Sequence, residues 1–261
     1  MSERPFSQGP LPLIVAHRGA PSERPENTLA AFEAALDAGA KAVEFDVRVT
    51  ADGQAVVIHD AALDRTTDGS GLVREHRLAD VLGVRIAGDH GHTYAVPTLH
   101  ETLALLSGRA AVDVEIKNVP GEPDFDPDDE VAVALAHRAL DDVAFVGDVI
   151  VSSFNPRSIA ASREHRPDVP TGLLTDVDVD AAAAVHFAAE QGHTWVLPFA
   201  DRVAEQGDGF ASVVHGAGLL LGTWIVDDPV RARALLETGA DAVATNEPRA
   251  IVDACRDLLP A

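Results

Sequence analysis

The stretch "AVEFDVRV" (residues 42–49) alternates apolar and charged side chains. Because successive side chains of a strand point to opposite faces, Phe45 and the valines share one face of a predicted strand. Glu44 and Asp46 lie on the other face, about 6.6 Å apart at a rise of about 3.3 Å per residue. The stretch "AVDVEIKN" (residues 111–118) repeats this alternation, with Asp113, Glu115 and Lys117 on its charged face.

Two arrangements of such strands are open. A solvated antiparallel strand would expose its charged face to water, whereas a strand of a parallel barrel is covered on both faces. In a barrel, the valines would meet the surrounding helices and the acids would point into the interior. Buried acids are costly unless they are paired or bind a metal, so the barrel arrangement predicts a functional site.

The rest of the chain favours the barrel, because eight short apolar runs alternate with amphipathic or Ala-rich stretches. This pattern predicts an α/β fold, a (β/α)8 TIM barrel that forms one domain over residues 1–261. The pair Asp52-Gly53 predicts a hairpin inserted after the second strand, followed by a loop or small insertion at about residues 60–97. The predicted strands are 13–16, 42–49, 112–116, 149–152, 171–174, 194–197, 219–225 and 242–244. The predicted helices are 28–38, 98–107, 128–140, 157–165, 179–191, 202–216, 229–238 and 249–259.

The composition excludes several classes of protein. The formal charge of −22 argues against nucleic acid as a partner, because binding a phosphate backbone requires a cationic surface. The single cysteine excludes an internal disulfide, and the segment "MSERPFSQGP" has no apolar core of a signal peptide. The longest apolar runs are too short for stable membrane insertion. A cytoplasmic protein is therefore expected, either monomeric or homodimeric.

Three acids on the charged strand faces, Glu44, Asp46 and Glu115, predict a metal site. An all-oxygen set of ligands selects a hard cation, Mg²⁺ or Ca²⁺, over zinc. Lys117 follows two residues after Glu115 on the same face. It is predicted to be an ion-pair partner of these acids, a point charge for an anionic substrate, or both.

Two histidines stand at predicted strand ends, His17 after "LIVA" and His59 after "AVVI". A single histidine there is more often a packing or capping residue, but two beside a carboxylate cluster can share general acid and base catalysis. Arg18 has two interpretations as well. It can form a surface ion pair with Glu23 or Glu26, or it can bind phosphate through both guanidinium arms.

Other residues near the predicted barrel mouth have structural and functional interpretations. Trp224 and Phe154 can pack there or contact a substrate. Asn27 or Thr28 is expected to cap the first helix. Gly19, which lacks a Cβ, is expected to let the chain turn sharply beside a bound phosphate.

Taken together, these motifs closely resemble the glycerophosphodiester phosphodiesterase family. The resemblance lies in six pieces that occur in the family's order between residues 13 and 248. They are "AHRGAPSERPENTLAAFEAALDAGA", "VEFDVRVTADGQAVVIHDAALDRTTDGSG", "VPTLHETL", "VEIKN", "TWIVDD" and "GADAVATNEP". The chain departs from the family where Asp227 follows "WIV" in place of a frequent Asn, and where His100 replaces an acidic residue.

The resemblance implies a TIM barrel that hydrolyses glycerophosphodiesters to sn-glycerol 3-phosphate and an alcohol, in glycerophospholipid catabolism. It also implies one divalent cation on Glu44, Asp46 and Glu115. Acid–base roles for His17 and His59, and phosphate contacts from Arg18 and Lys117, are implied as well. The order in which the histidines act stays open, as does the choice of water or the substrate 2-hydroxyl as nucleophile. Two alternatives are a related barrel phospholipase D that acts on lysophospholipids and a non-catalytic phosphodiester-binding barrel.

Overall fold

The computed structural model of the protein describes residues 11–88 and 91–260. Eight parallel strands close into a barrel in the order β1-β2-β6-β7-β8-β9-β10-β11, and β11 pairs with β1. The predicted TIM barrel is confirmed. The barrel strands are β1 (Leu13–His17), β2 (Ala42–Val49), β6 (Ala111–Ile116), β7 (Val149–Ser153), β8 (Thr171–Leu174), β9 (Trp195–Leu197), β10 (Leu220–Thr223) and β11 (Ala242–Thr245).

The helices follow the strands and cover the outside of the barrel. They are α1 (Leu29–Asp37), α2 (Leu78–Val81), α3 (Leu99–Leu106), α4 (Val131–Asp142), α5 (Pro156–His165), α6 (Ala181–Gln191), α7 (Ala200–Glu205), α8 (Phe210–Gly216), α9 (Pro229–Glu237) and α10 (Pro248–Cys255). The prediction of one helix over residues 202–216 is wrong, because α7 and α8 are separate. Gly207 between them has a φ of 79°, a left-handed conformation that favours glycine and ends a helix.

The predicted insertion follows the second strand. Strand β3 (Ala55–Val57) pairs antiparallel with the end of β2. The turn that joins them places Gly53 at a φ of 70°, and the Gly53 N–H donates to the Thr50 carbonyl. The following segment contains a 3-10 turn (Val73–Glu75), α2, β4 (Ile86–Ala87) and β5 (Thr93–Tyr94). It has an apolar cluster of its own that includes Leu63 and Val81.

Burial decides between the two arrangements of the charged strands. Strand β2 is buried on both faces, and Phe45 packs against Phe32 of α1 with ring centroids 5.9 Å apart. Glu44 and Asp46 point the other way, into the barrel, where they are 5% and 0% exposed. The solvated antiparallel arrangement is therefore excluded.

The barrel interior has two chemically different halves. Strands β2 and β6 contribute carboxylates, whereas strands β7 to β11 contribute mainly apolar side chains. The apolar residues that pack together there are Ile150, Leu174, Trp195, Leu197, Leu220 and Ala242. Over the described ranges, 11–88 and 91–260, no helix combines the length and apolarity that crossing a membrane would need.

Candidate active site

The candidate site lies at the carboxyl ends of the barrel strands, where parallel strands deliver their last side chains to one edge. His17 ends β1 and pairs in register with Glu44, while Asp46 pairs with Glu115 of β6. A cavity of about 220 Å³ opens at this edge. The predicted site residues that line it are His17, Arg18, Glu44, His59, Glu115, Lys117, Phe154 and Trp224.

Glu44, Asp46 and Glu115, named here the acidic triad, each offer a carboxylate oxygen within 4.8 Å of the others. Burial and the neighbouring carboxylates raise the pKa of Glu44 well above its usual range. Among the described residues, Glu44 Oε1 and Asp46 Oδ1 are buried without a hydrogen-bond partner. Buried carboxylate oxygens in this arrangement fit a hard divalent cation, which would satisfy them and offset their repulsion.

Arg18 lies between the acidic triad and the rim of the site. Its Nε lies 3.2 Å from Asp46 Oδ2 and its Nη1 donates to Glu26 Oε1 at 2.9 Å. The predicted pair with Glu26 is present, whereas Glu23 pairs with a different arginine. Arg18 has a φ of 55°, uncommon for a residue other than glycine, and its backbone N–H donates to Glu44 Oε2 at 2.8 Å. Arg18 therefore contacts the triad through both its side chain and its backbone.

Lys117 supplies the second positive charge. Its Nζ donates to Glu115 Oε1 at 2.8 Å and lies 3.7 Å from Asp46 Oδ1. Burial alone would raise the pKa of Asp46, but Lys117 and Arg18 hold it below the usual range. The predicted ion pair of Lys117 is present, and its ammonium group also lines the cavity.

Phe154 and Trp224 form an aromatic wall of the cavity. Their rings meet edge to face with centroids 5.3 Å apart, and Lys117 Nζ lies 5.7 Å from the centre of the Phe154 ring. Trp224 Nε1 donates to the Leu197 carbonyl at 2.9 Å, which fixes the indole in place. Both rings therefore pack against neighbours and face the space that a ligand would occupy.

His17 is held by a chain of hydrogen bonds that ends at a carboxylate. Its Nδ1 lies 2.8 Å from Asn246 Oδ1, and Asn246 Nδ2 donates to Asp227 Oδ2 at 2.9 Å. A carboxylate can only accept, so Asn246 must turn its NH₂ toward Asp227 and its oxygen toward His17. The proton of neutral His17 then lies on Nδ1, and Nε2 keeps a lone pair 4.0 Å from Glu44 Oε2. Burial lowers the pKa of His17 to about 4, so the imidazole is neutral at pH 7.

His59 has a different partner. Its Nδ1 lies 2.6 Å from Asp60 Oδ1, and Arg65 binds both Asp60 and Glu26. The Asp60 carboxylate can only accept, so Nδ1 of His59 donates to it. One histidine is thus bonded to a neutral amide and the other to an acid, an asymmetry suited to complementary proton transfers.

Arg48, on the inward face at the end of β2, connects the strands that carry the site. Its Nε donates to the His59 carbonyl at 2.7 Å and its Nη1 to the Lys117 carbonyl at 3.2 Å. The same guanidinium pairs with Asp124 and Glu122 in the acidic loop after β6. The local alternation of β2 predicts that Arg48 points inward, but these four contacts come from residues distant in sequence.

The loop after β1 supplies the cap of the first helix from one of the two expected residues. Thr28 caps α1, because its Oγ1 accepts from the Ala31 N–H at 3.1 Å. Asn27 instead donates to Asp46 Oδ2 at 2.7 Å and so supports the acidic triad. Gly19 has a φ of 89°, and a Cβ there would lie 2.6 Å from the Ala31 carbonyl carbon. The close approach of α1 therefore requires a glycine here, in addition to the sharp turn beside a bound phosphate that the sequence predicts.

Comparison with known proteins gives a consistent result. Residues 17–250 match the model of the glycerophosphoryl diester phosphodiesterase family. The glycerophosphodiester phosphodiesterase of Caldanaerobacter subterraneus subsp. tengcongensis is 30% identical over 94% of this chain and 98% of its own length. An Oleispira antarctica phosphodiesterase, solved with the product sn-glycerol-3-phosphate, superposes with a TM-score of 0.80 at 25% identity, covering 94% of this chain and 97% of that one. The Agrobacterium tumefaciens glycerophosphodiester phosphodiesterase superposes with a TM-score of 0.78 at 27% identity, covering 93% of this chain and 100% of that one. The chain belongs to the glycerophosphoryl diester phosphodiesterase family.

Proposed function

We propose that this protein hydrolyses glycerophosphodiesters to sn-glycerol 3-phosphate and an alcohol with the help of one divalent cation, Mg²⁺ or Ca²⁺. The observation that carries the proposal is the meeting of the acidic triad with two differently bonded histidines around one cavity. The Oleispira relative, bound to sn-glycerol-3-phosphate, supports the same class of product.

The acidic triad would hold the cation. When bound, a divalent cation neutralises charge on a phosphoryl oxygen and makes the phosphorus more electrophilic. Arg18 and Lys117 lie beside the triad, so they can contact the remaining phosphate oxygens. This local positive charge is needed, because a chain with a net charge of −22 repels an anionic substrate at long range.

The histidines divide the proton transfers. The Nε2 lone pair of His17 takes the proton of the nucleophile, water or the substrate 2-hydroxyl, as its oxygen bonds to phosphorus. The bond from phosphorus to the alcohol oxygen breaks, and that oxygen keeps the electron pair. His59, whose Nδ1 donates to Asp60, gives a proton from Nε2 to this leaving oxygen. When the 2-hydroxyl is the nucleophile, the product of this step is a cyclic phosphate. Water then bonds to phosphorus, the bond from phosphorus to the 2-oxygen breaks, and that oxygen keeps the electron pair and takes a proton, which gives sn-glycerol 3-phosphate.

Substitution of the histidines tests the proposal. His17→Ala and His59→Ala should each lower kcat for release of glycerol 3-phosphate from glycerophosphocholine by about 10²- to 10⁴-fold. His186→Ala, which alters a histidine on the outer surface of α6 that is 77% exposed, is the matched control and should behave as wild type. Retention of near wild-type kcat by either active-site variant would remove that histidine from the mechanism.

A neighbouring groove favours a second candidate, hydrolysis of lysophospholipids by the phospholipase D reaction. A space of about 730 Å³ adjoins the aromatic wall and is largely apolar. The apolar residues that line it include Val119, Pro120, Leu173, Val179 and Phe187. An acyl chain on the alcohol side could lie there. Parallel assays of glycerophosphocholine and lysophosphatidylcholine distinguish the two substrates. Tight binding of both without product release would indicate a non-catalytic phosphodiester-binding barrel.

A further inference from the structure

A fourth inward-facing acid, Asp113, lies beside the acidic triad. It precedes Glu115 by two residues on the same face of β6 and pairs in register with Glu44. Asp113 lines the same cavity as His17 and Glu115. It is therefore accessible to whatever occupies the cavity, although neither the triad nor the two histidines require it.

The neighbours of Asp113 are the Ser152 hydroxyl, the carboxylates of the acidic triad and a set of apolar side chains. On the adjacent strand β7, Ile150 pairs in register with Asp113. The apolar residues that line the same cavity include Val15, Leu174, Leu197, Gly222, Ala242 and Ala244. A polar group in such a place is costly unless it forms hydrogen bonds.

The protein itself leaves part of this carboxyl group unsatisfied. No ion pair to Asp113 is formed by residues 11–88 or 91–260, whereas Arg18 and Lys117 serve the acidic triad. Asp113 Oδ1 is buried without a hydrogen-bond partner in the same part of the chain. Asp113 is also outside the group of acids whose oxygens converge on one point. Because Asp113 lines the cavity and has no ion pair there, its carboxyl group can accept a hydrogen bond from a ligand.

The chemistry of the carboxyl group identifies that atom. A phosphate group would be repelled by Asp113, and an apolar alcohol chain would leave the oxygen unsatisfied. A hydroxyl group donates a hydrogen bond to it. The opposite wall has space for a small polyol, because Gly222 and the two alanines have little or no side chain there. A Cβ on Gly222 would lie 2.5 Å from Leu197 Cδ2, so the wall is closely packed behind that space.

We propose that Asp113 accepts a hydrogen bond from a hydroxyl group of the glycerol moiety and thereby determines specificity for it. The substrate then lies with its glycerol toward Asp113 and its alcohol toward the aromatic wall and the open groove. This inference rests on the proposed function. It explains how one enzyme can select glycerol strictly while leaving the alcohol side open to different groups.

The test couples the residue to the ligand hydroxyls in a thermodynamic cycle. Calorimetry in Mg²⁺ measures the binding of sn-glycerol 3-phosphate and of propyl phosphate, which lacks both hydroxyls, to wild type and to Asp113→Leu. Wild type should prefer sn-glycerol 3-phosphate by about 10- to 100-fold, the effect of one hydrogen bond to a charged group. Asp113→Leu should bind the two ligands with affinities within about threefold of each other, because the variant cannot form that hydrogen bond.

Two further measurements keep the outcomes separate. Asp113→Asn retains an acceptor oxygen, so it should restore most of the preference. Mg²⁺ affinity of both variants should match wild type, since Asp113 lies outside the triad. The inference is overturned if wild type shows no preference, if neither ligand binds, or if Asp113→Leu keeps the preference. The proposed function is judged independently, by whether wild type releases glycerol 3-phosphate from glycerophosphocholine.

Discussion

The hydrogen-bond chain behind His17 makes a specific prediction for Asp227→Asn. Asp227 Oδ1 accepts from the Asn246 backbone N–H at 2.7 Å and from Thr245 Oγ1 at 3.0 Å. Because a backbone N–H can only donate, the introduced amide must keep its oxygen at this position. In the unsubstituted protein, Asn246 Nδ2 donates to Asp227 Oδ2 at 2.9 Å. In the variant, the NH₂ group of the introduced amide takes the place of Oδ2 and faces the same Nδ2. Two donors oppose each other there.

The conflict is relieved if the Asn246 amide turns over. Asn246 then presents its NH₂ to His17 Nδ1, which must become the acceptor, and the imidazole proton moves to Nε2. In that tautomer His17 cannot take a proton from the nucleophile. Restoring the productive tautomer brings the two donors face to face again, and a donor left without an acceptor costs about 1–3 kcal/mol. At about 1.4 kcal/mol per factor of ten, kcat should fall by about 5- to 150-fold.

The assay is steady-state release of glycerol 3-phosphate from glycerophosphocholine, and KM should change little because the proton transfer occurs only after binding. Asp228→Asn is the matched control, since Asp228 caps α9 and takes no part in the hydrogen-bond chain behind His17. Histidine ¹⁵N chemical shifts report the His17 tautomer directly. A kcat for Asp227→Asn within twofold of the control, or an unchanged His17 tautomer, would refute the reasoning.

Three other perturbations follow from the structure. Adding Mg²⁺ or Ca²⁺ to chelator-treated protein should raise the free energy of unfolding by about 2.7 kcal/mol at 100 times Kd, and no change would contradict a metal site in the acidic triad. Burial lowers the pKa of His137 and of His193 to about 4, so the unfolded chain gains protons below pH 6.5 and the folded chain does not. Stability should therefore fall between pH 6.5 and 4, by up to about 3 kcal/mol per histidine, and urea unfolding of His193→Gln should show a shallower fall. Arg48→Lys keeps the charge but loses the fork that holds two carbonyls, so kcat should fall by about tenfold, whereas the exposed control Arg138→Lys should match wild type in the same assay.

Much of the fold was predictable because local patterns in the amino-acid sequence determine it. The alternation in β2 places Glu44 and Asp46 on one face whatever the rest of the chain does, and burial on both faces then follows from the parallel barrel. The error at residues 202–216 has a local reason as well. Apolar periodicity continues through the segment, but Gly207 and Gly209 interrupt the backbone between α7 and α8.

The supporting contacts of the site were not predictable to the same degree. His17 and Asn246 are 229 residues apart, and only closure of the barrel between β1 and β11 brings them together. The sequence is equally compatible with Asn27 as a helix cap, which is a local role. Its contact with Asp46 is made with Asn27 itself in a left-handed conformation, at a φ of 55°. Sequence patterns identify which residues carry charge to the site, whereas tertiary structure decides which of their atoms are satisfied.

The division of the barrel interior has a consequence for diversification of this enzyme. Charged groups come from β1, β2 and β6, while the apolar lining comes mainly from the strands beyond them. Substitutions in that apolar half change shape and volume without altering the charges that surround the phosphate. New preferences for the substrate groups that contact this half can therefore be selected or designed in small steps, with the charged residues of the site unchanged.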